Sequence, residues 1–193
     1  MLDKLLEGKV VSFPTDTVPA LAVKPEFAQV LFEIKQRPPT KPLILMGAAI
    51  ADLLPYVSGS PKELRLWQEL AAQYWPGALT LVLPASDAVP SVMNPTNSQT
   101  IGIRIPDNAI ALSILKETGV LATTSANLSG QAPLLTMEEI AQTFPQVLVY
   151  SAQELDPQQP VGSGLPSTVV QWRLNHWEVL RQGSFEVSII NNH

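Results

Sequence analysis

Three short polar stretches in this 193-residue chain have residue types that could carry out chemistry. They are Lys35-Gln36-Arg37 followed by Lys41, Thr124-Ser125-Ala126-Asn127, and Ser163-Gly164-Leu165-Pro166-Ser167-Thr168. Each lies where an apolar, strand-like run or an amphipathic helix meets a loop. Cations, hydroxyl groups and free backbone N–H groups in such loops suit a bound polyanion, and a nucleoside triphosphate is the obvious candidate. The chain has neither a P-loop nor a dinucleotide-binding glycine motif, so such a nucleotide would be held in another way.

The first stretch gathers cations around one loop. Lys35, Arg37 and Lys41 follow a predicted helix, Pro38-Pro39 stiffens the loop, and Lys24 can add a fourth charge. A helix C-terminus attracts cations through its dipole and its unpaired carbonyls, which is a purely local explanation. Four cations exceed the need of one dipole, so the pattern favours a phosphate site in which Arg37 donates to two oxygens.

The other two stretches allow two interpretations each. Residues 123–130 follow a predicted strand directly and are either an ordinary Ser/Asn turn or a set of hydroxyl, amide and N–H groups that binds phosphate or ribose. Gly162 and Gly164 precede Ser167-Thr168 and permit a close approach of backbone to a ligand. A structural turn explains these glycines equally well.

Arg104 is the charged residue of an otherwise apolar segment, Ile101-Gly102-Ile103-Arg104-Ile105. Strand alternation places its side chain on the face opposite Ile103 and Ile105. On a solvated face the arginine would be unremarkable, whereas in a cleft it could bind a carboxylate.

Composition excludes several function classes. The chain has no cysteine and only two histidines, His176 and the terminal His193, so disulfides, thiolate nucleophiles, Ser-His-Asp triads and histidine-rich metal sites are disfavoured. The net charge of −5 argues against general affinity for nucleic acid but permits a local basic cleft. Length and a hydrophobic fraction of 46% predict one globular domain over residues 1–193. The start resembles no signal peptide, and the most apolar run, residues 43–51, is too short to cross a bilayer, so we expect a cytoplasmic protein without membrane contact.

Periodicity and turn residues predict alternating helices and strands. The predicted helices are 2–8, 27–34, 63–74 with Ser60 as cap, 109–117 and 136–143. Thr136 and Glu139, three residues apart, predict a capping box at the start of the last of these. The predicted strands are 10–13, 43–46, 78–83, 100–105, 120–123, 147–150, 167–172 and 177–181, the last two paired around Asn175-His176. This final pair and the uneven spacing favour an α/β fold with a mixed sheet over a doubly wound one.

Six ordered motifs together resemble a known family. They are Pro14-Thr15-Asp16-Thr17; Lys35-Gln36-Arg37-Pro38 with Lys41-Pro42-Leu43; Trp75-Pro76-Gly77-Ala78-Leu79-Thr80; Ile103-Arg104-Ile105-Pro106; Ser125-Ala126-Asn127-Leu128-Ser129-Gly130; and Ser167-Thr168-Val169-Val170 with Arg181. In this order they are similar to the YrdC family of threonylcarbamoyl-adenylate synthases over nearly the whole chain. The resemblance implies a single α/β domain with a twisted open sheet around a large concave cleft.

The resemblance also implies a reaction and its participants. L-threonine, bicarbonate and ATP, with Mg²⁺ carried by the nucleotide, would give threonylcarbamoyl-AMP and pyrophosphate. Partner proteins would then transfer the threonylcarbamoyl group to adenosine 37 of tRNA, and direct contact with tRNA or double-stranded RNA is a further implication. No resident metal is implied.

The same resemblance assigns roles to eleven residues. Seven of them would bind the phosphates: Lys35, Arg37, Ser125, Asn127, Lys41, Ser167 and Arg181. The first four of these would also be catalytic. Thr100 would contact the nucleotide. Thr17, Thr124 and Arg104 would bind the substrate, with Arg104 on the carboxylate of L-threonine.

Two positions depart from the family pattern. Pro19-Ala20 stands where relatives usually have Tyr-Gly, and Met46 stands where they often have histidine. Both lie at the end of the cleft that would hold threonine. Two other functions therefore stay open: an RNA-binding module without catalysis, and an adenylating enzyme with another small amine or amino-acid substrate.

Overall fold

The computed structural model describes residues 2–96, 99–152 and 155–186. The strands in this part are β1 (Val11–Phe13), β2 (Ala20–Val23), β3 (Ile44–Met46), β4 (Leu79–Pro84), β5 (Thr100–Arg104), β6 (Leu121–Ser125), β7 (Leu148–Val149), β8 (Thr168–Arg173) and β9 (His176–Arg181). The helices are α1 (Leu2–Leu6), α2 (Gln29–Ile34), α3 (Ile50–Leu53), α4 (Pro61–Tyr74), α5 (Ala109–Thr118) and α6 (Met137–Thr143). None of the described helices is long and apolar enough to cross a membrane.

All of these strands join one open sheet in the order β7-β1-β2-β6-β3-β5-β4-β8-β9. The pairs β1–β7, β3–β5 and β4–β8 are parallel, and the remaining neighbours are antiparallel. The expected mixed sheet is therefore confirmed.

One face of the sheet is covered along its length. Side chains that alternate inward along the strands, such as Leu45, Leu81 and Ile103, are almost fully buried. They share a core with Phe32 of α2, Leu53 of α3, Trp67 of α4 and Ile140 of α6. This large apolar core fixes the positions of the strand ends that carry the polar stretches.

The opposite face is covered at one end. There Leu5 of α1 and Ile114 of α5 pack against Phe13, Ala22 and Leu121 on β1, β2 and β6. The same face of β3, β5, β4 and β8 forms the floor of an open cleft. The cleft thus arises because two helices cover part of a face that spans nine strands.

Local capping signals are confirmed where the sequence predicts them. The side chains of Ser60 and Glu63 form a capping box at the start of α4, and Thr136 and Glu139 form one at the start of α6.

The predicted turn of the last hairpin was wrong by one residue. Leu174 and Asn175, with φ of 50° and 64°, form the turn, and His176 is the first residue of β9. Positive φ at both central residues matches the twist of a two-residue hairpin.

Candidate active site

The cleft on the open face has a volume of about 710 Å³. Its floor includes Ile44, Val82 and Gly102. A Cβ atom on Gly102 would lie 2.7 Å from Cγ2 of Ile44, so a larger residue would force the floor apart. Ten of the eleven predicted site residues line the cleft, and Lys35 lies behind its wall.

The cleft is strongly cationic. Arg37, Lys41, Arg104 and Arg181 line it, and within the described part of the chain no Asp or Glu does. With Lys35, these are five of the twelve Lys and Arg residues of a chain whose net charge is −5. Burial lowers the pKa of Arg37, and the charge of Arg181 lowers it further. Like charges are held together here without a lining carboxylate, which is the electrostatic arrangement of an anion site.

Arg37 is held at the cleft by the loop that follows it. Its Nε donates to the carbonyl oxygen of Lys41 at 2.9 Å, and its Nη2 donates to that of Pro42 at 2.8 Å. Three of its five N–H donors therefore remain for a ligand.

Lys24 is not part of the cluster, contrary to expectation. Its Nζ donates to the carbonyl oxygen of Thr118 at 2.7 Å, at the C-terminus of α5, where the local helix-end explanation is the right one.

Lys35 joins the first polar stretch to the second. Its side chain is completely buried, and Nζ donates to the carbonyl oxygen of Ser125 and, at 3.1 Å, to Oδ1 of Asn127. The N–H of Ser129 returns a bond to the carbonyl oxygen of Lys35 at 3.1 Å. Burial, and then the charges of Arg37 and Lys41, lower the pKa of Lys35 from 10.5 to about 7.

Asn127 organises the loop after β6. Its Oδ1 also accepts from Oγ of Ser125 at 2.5 Å, and its Nδ2 donates to the carbonyl oxygens of Leu128 and Gln131, both at 2.8 Å. The half-buried Thr124 lines the cleft beside them. The second stretch is therefore a fixed loop on the cleft wall rather than an unconstrained turn.

The third stretch brings Ser167 and Arg181 together. Oγ of Ser167 lies 2.9 Å from Oγ1 of Thr80, and Nε and Nη2 of Arg181 donate to the carbonyl oxygen of Ser167 at 3.2 and 2.8 Å. The register of β8 and β9 shifts at Val169, so that both Leu180 and Arg181 line the cleft. Such a bulge redirects side chains that strict alternation would separate.

The Arg104 side chain is not solvated, and its guanidinium group already forms hydrogen bonds within the protein. The residue is 3% exposed, its Nε donates to the carbonyl oxygen of Gly77 at 3.0 Å, and its Nη1 donates to Oγ1 of Thr17 at 2.9 Å. Its Nη2 pairs with Oδ1 of Asp16 at 2.5 Å. Burial lowers the pKa of Arg104, and the carboxylate of Asp16 opposes that effect. Sequence reasoning gave Asp16 no role, although it lies inside a recognised motif.

The chain is similar over most of its length to one known protein family. The Sua5/YciO/YrdC family model, described as telomere recombination, matches residues 3–183. The chain belongs to this family. A relative from Vibrio campbellii, named threonylcarbamoyl-AMP synthase, is 34% identical over 190 residues, which are 95% of this chain and 97% of the relative. A Bacillus subtilis relative with the same name is 35% identical over 86% of this chain, and here the alignment spans 47% of the relative.

A solved member of the Sua5/YciO/YrdC family has the same architecture. The crystal structure of Pyrococcus abyssi Sua5 complexed with L-threonine superposes with a TM-score of 0.82 at 30% identity, covering 94% of this chain and 52% of that one. The chain thus spans about half the length of this relative and of the Bacillus one. The expected family, the mixed α/β fold and the concave cleft are confirmed, and the individual roles of the site residues remain predictions.

The two departures from the family pattern lie in the cleft of this member. Pro19, Ala20 and Met46 line it, and Ala20 and Met46 also belong to the core under α5. Ala20 is 2% exposed and Met46 is 4% exposed. The end of the cleft beside Thr17 is therefore mainly apolar at these positions.

The buried Lys35 predicts how stability depends on pH. Because its pKa in the folded protein is about 7 against an ordinary 10.5, the unfolded chain retains a proton between these values that the folded chain has lost. The free energy of unfolding should therefore rise with pH from about 7 upward, by at most about 1.4 kcal/mol per pH unit, and the full cost of the buried charge should be present below pH 7. Urea unfolding at pH 6 to 9 measures this rise. Lys35→Met should remove it, and an equal rise in both proteins would contradict the assignment.

Proposed function

We propose that this chain is an L-threonylcarbamoyladenylate synthase, a nucleotidyltransferase that joins L-threonine, bicarbonate and ATP. The observation that carries the proposal is the cationic cleft, whose described lining residues include no Asp or Glu, in a member of the Sua5/YciO/YrdC family. The names of its relatives supply the product, threonylcarbamoyl-AMP. The cleft supplies the charge that a triphosphate requires.

The phosphates would lie between the two groups of cations. Arg37 and Lys41 stand on one loop, Arg181 stands on the edge strand, and the pKa of Arg37 responds to Arg181. Ser167 and Asn127 hold this frame through hydrogen bonds to cationic side chains. A triphosphate entering here would neutralise like charges that now repel one another, which favours binding. Thr100, at the start of β5, also lines the cleft and would contact the nucleotide.

L-threonine would bind at the other end of the cleft. Arg104 presents a buried guanidinium with two N–H groups beyond the three that are already bonded, and these could receive the carboxylate. Thr17 lies beside it, and Ala20 and Met46 provide an apolar surface for the methyl group. The α-amino group would then be free to react.

The chemistry requires positioning and charge rather than a protein nucleophile. The amine of threonine attacks the carbon of bicarbonate, and loss of water gives an N-carboxylate. An oxygen of this carboxylate attacks the α-phosphorus of ATP, the bond to the β-phosphate oxygen breaks, and pyrophosphate leaves. The cations Arg37, Lys41 and Arg181 would stabilise the charge that develops on the phosphoryl oxygens.

Mg²⁺ is a co-substrate in this proposal and would enter on the triphosphate. Within the described part of the chain, no group of three His, Cys, Asp or Glu side chains is placed to hold a metal ion. The donor set of the cleft, made of ammonium, guanidinium, hydroxyl and amide groups, suits phosphate oxygens rather than a cation. The ion would therefore be coordinated by the phosphates and water.

The charge distribution favours a small polyanion over RNA as the direct ligand. The seven Lys and Arg residues outside the site share the chain with seventeen Asp and Glu residues, and in the part that the structure describes Asp16 is the one acid bonded to a site residue. An RNA backbone extending beyond the cleft would meet net negative charge. Transfer of the threonylcarbamoyl group to adenosine 37 of tRNA would then be the task of partner proteins.

Release of pyrophosphate tests the proposed activity directly. With Mg²⁺ and ATP, release should depend on both L-threonine and bicarbonate, and omission of either should return the rate to background. A dependence on a different amino acid would support the adenylating enzyme with another substrate. Tight RNA binding without any pyrophosphate release would support the RNA-binding module and overturn the proposal.

The apolar threonine end predicts weak discrimination against L-serine. Pro19 and Ala20 line the cleft where the family pattern usually has Tyr-Gly, and Met46 lines it where that pattern often has histidine. Without the tyrosine and the histidine, fewer polar groups would orient the substrate hydroxyl. One methyl group in an apolar pocket contributes about 1–3 kcal/mol, and we expect the lower part of this range, about a ten-fold preference for threonine. Competition between the two amino acids in the pyrophosphate assay measures the ratio. Strict exclusion of serine would show that the remaining residues suffice for selectivity.

A further inference from the structure

Residues 161–164, here called the glycine clamp, contact the turn formed by residues 15–18. This turn holds the Arg104 side chain through Asp16 and Thr17. The N–H of Ser163 donates to the carbonyl oxygen of Asp16 at 3.0 Å, and the N–H of Gly164 donates to that of Thr17 at 2.9 Å. The N–H of Val161 bonds to the carbonyl oxygen of Leu135 at 2.9 Å, which anchors the start of the clamp. These contacts are made by backbone atoms alone.

Gly162 cannot be replaced by another residue without disturbing this contact. Its φ is +74°, in the left-handed region that favours glycine. A Cβ atom at this position would lie 2.3 Å from the carbonyl oxygen of Thr17 and 2.8 Å from that of Thr15. Both obstacles are backbone atoms, which cannot rotate away as the end of a side chain can. Any side chain would therefore separate the clamp from the turn.

A displacement of the turn would also move the groups that bind Arg104 in the cleft. Oγ1 of Thr15 donates to the carbonyl oxygen of Val18 at 2.7 Å and accepts from the N–H of Thr17, so the turn is a compact, buried unit. Oγ1 of Thr17 and Oδ1 of Asp16 are the two acceptors that orient the end of the Arg104 guanidinium. A shift of this unit moves both acceptors together.

We propose that the glycine clamp is a positioning device for the carboxylate end of the cleft. Gly162 acts on Arg104 through the backbone of Thr17 and does not itself touch a ligand. This inference rests on the proposed function, because it assigns Arg104 to the carboxylate of the amino-acid substrate. The clamp should therefore control affinity for the amino acid and leave affinity for ATP unchanged.

Gly162→Ala tests the clamp, with Gly119→Ala as its matched control. Gly119 has the same φ of +74°, and among the described residues its Cβ would meet only Nζ of Lys24, at 4.0 Å, so this variant also places a side chain at positive φ but without the collision. In Gly162→Ala we expect the KM for L-threonine to rise at least ten-fold, while ATP affinity measured by calorimetry stays within two-fold. In Gly119→Ala both quantities should stay within two-fold. Equal threonine KM values in the two variants would overturn the proposal.

A second readout does not depend on the reaction. The ¹⁵N–¹H signal of Arg104 Nε in the ligand-free protein should shift in Gly162→Ala and stay in place in Gly119→Ala. Should the wild-type protein fail to bind threonine, the proposed function fails, and this signal alone still decides whether the clamp positions Arg104. An unchanged Arg104 signal in folded Gly162→Ala would refute the clamp.

The wild-type protein provides a test if Gly162→Ala does not fold. Binding of L-threonine to Arg104 should stabilise the turn, and local opening of the clamp should then become rarer. We expect hydrogen exchange of the Ser163 and Gly164 amides to slow with saturating threonine and to be unaffected by a non-hydrolysable ATP analogue. Exchange that responds to the ATP analogue and not to threonine would contradict the proposal.

Discussion

Arg104→Ala should abolish threonine-dependent pyrophosphate release while leaving ATP affinity within about two-fold. The guanidinium is the buried cation beside Thr17, whereas Arg37, Lys41 and Arg181 carry the proposed phosphate site. Truncating one partner of a buried, hydrogen-bonded charge pair costs about 2–5 kcal/mol, which corresponds to a loss of roughly 30- to 4,000-fold in threonine affinity. Steady-state kinetics and calorimetry with an ATP analogue measure the two quantities separately.

A loss of stability would accompany this loss of activity and must be separated from it. Without Arg104, the carboxylate of Asp16 has lost its partner in a site where its side chain is 15% exposed, and breaking such a pair costs about 3–5 kcal/mol. Arg104→Ala combined with Asp16→Asn removes the unpaired charge, so part of this stability should return. Threonine dependence should remain absent in the double variant. Recovery of threonine-dependent release together with stability would show that Arg104 has a structural role only.

Arg37→Ala should weaken ATP binding by about 1.5–3 kcal/mol, which is roughly 10- to 150-fold. The variant removes one of four cations from the cleft wall and also releases the carbonyl oxygens of Lys41 and Pro42, so the loop that carries Lys41 loosens. The fold should persist, because Arg37 is half-buried and its side-chain hydrogen bonds within the described structure go to the loop that follows it. Calorimetric titration with ATP measures the effect.

Two further variants separate charge from geometry in this prediction. Arg173→Ala removes the same residue type from the exposed end of β8, where Arg173 lies 3.9 Å from Glu178, and should leave ATP affinity unchanged. Arg37→Lys keeps the charge but lacks the planar fork, so an intermediate loss is expected. If Arg173→Ala weakens ATP binding as much as Arg37→Ala does, general electrostatic attraction rather than a defined site would explain the result.

The sequence predicted the regular elements wherever local interactions define them. Ser60 directly precedes Pro61, and Thr136 and Glu139 are three residues apart, so both helix starts could be recognised from neighbouring residues alone. Two elements were missed for the opposite reason. β2 is buried on both faces and its Ala-Leu-Ala-Val sequence shows no alternation of polar residues, while α3 has a single turn. Their existence depends on neighbouring strands and on the core.

The ordered motifs by themselves determined the family and the positive character of the site, because residue types and their order survive without coordinates. Only the tertiary structure decided which groups meet. Arg104 pairs with Asp16 across 88 residues, Lys35 bonds to Asn127 across 92, and Lys24 caps Thr118 across 94. Interactions that can be predicted from local sequence extend over about one helical turn. These distant partners are instead determined by the order of the nine strands in the sheet and by the part of its face that α1 and α5 leave uncovered. For the same reason Gly162 showed only conformational freedom in the sequence, and its contact with the backbone of Thr17 became visible when the sheet brought the two segments together.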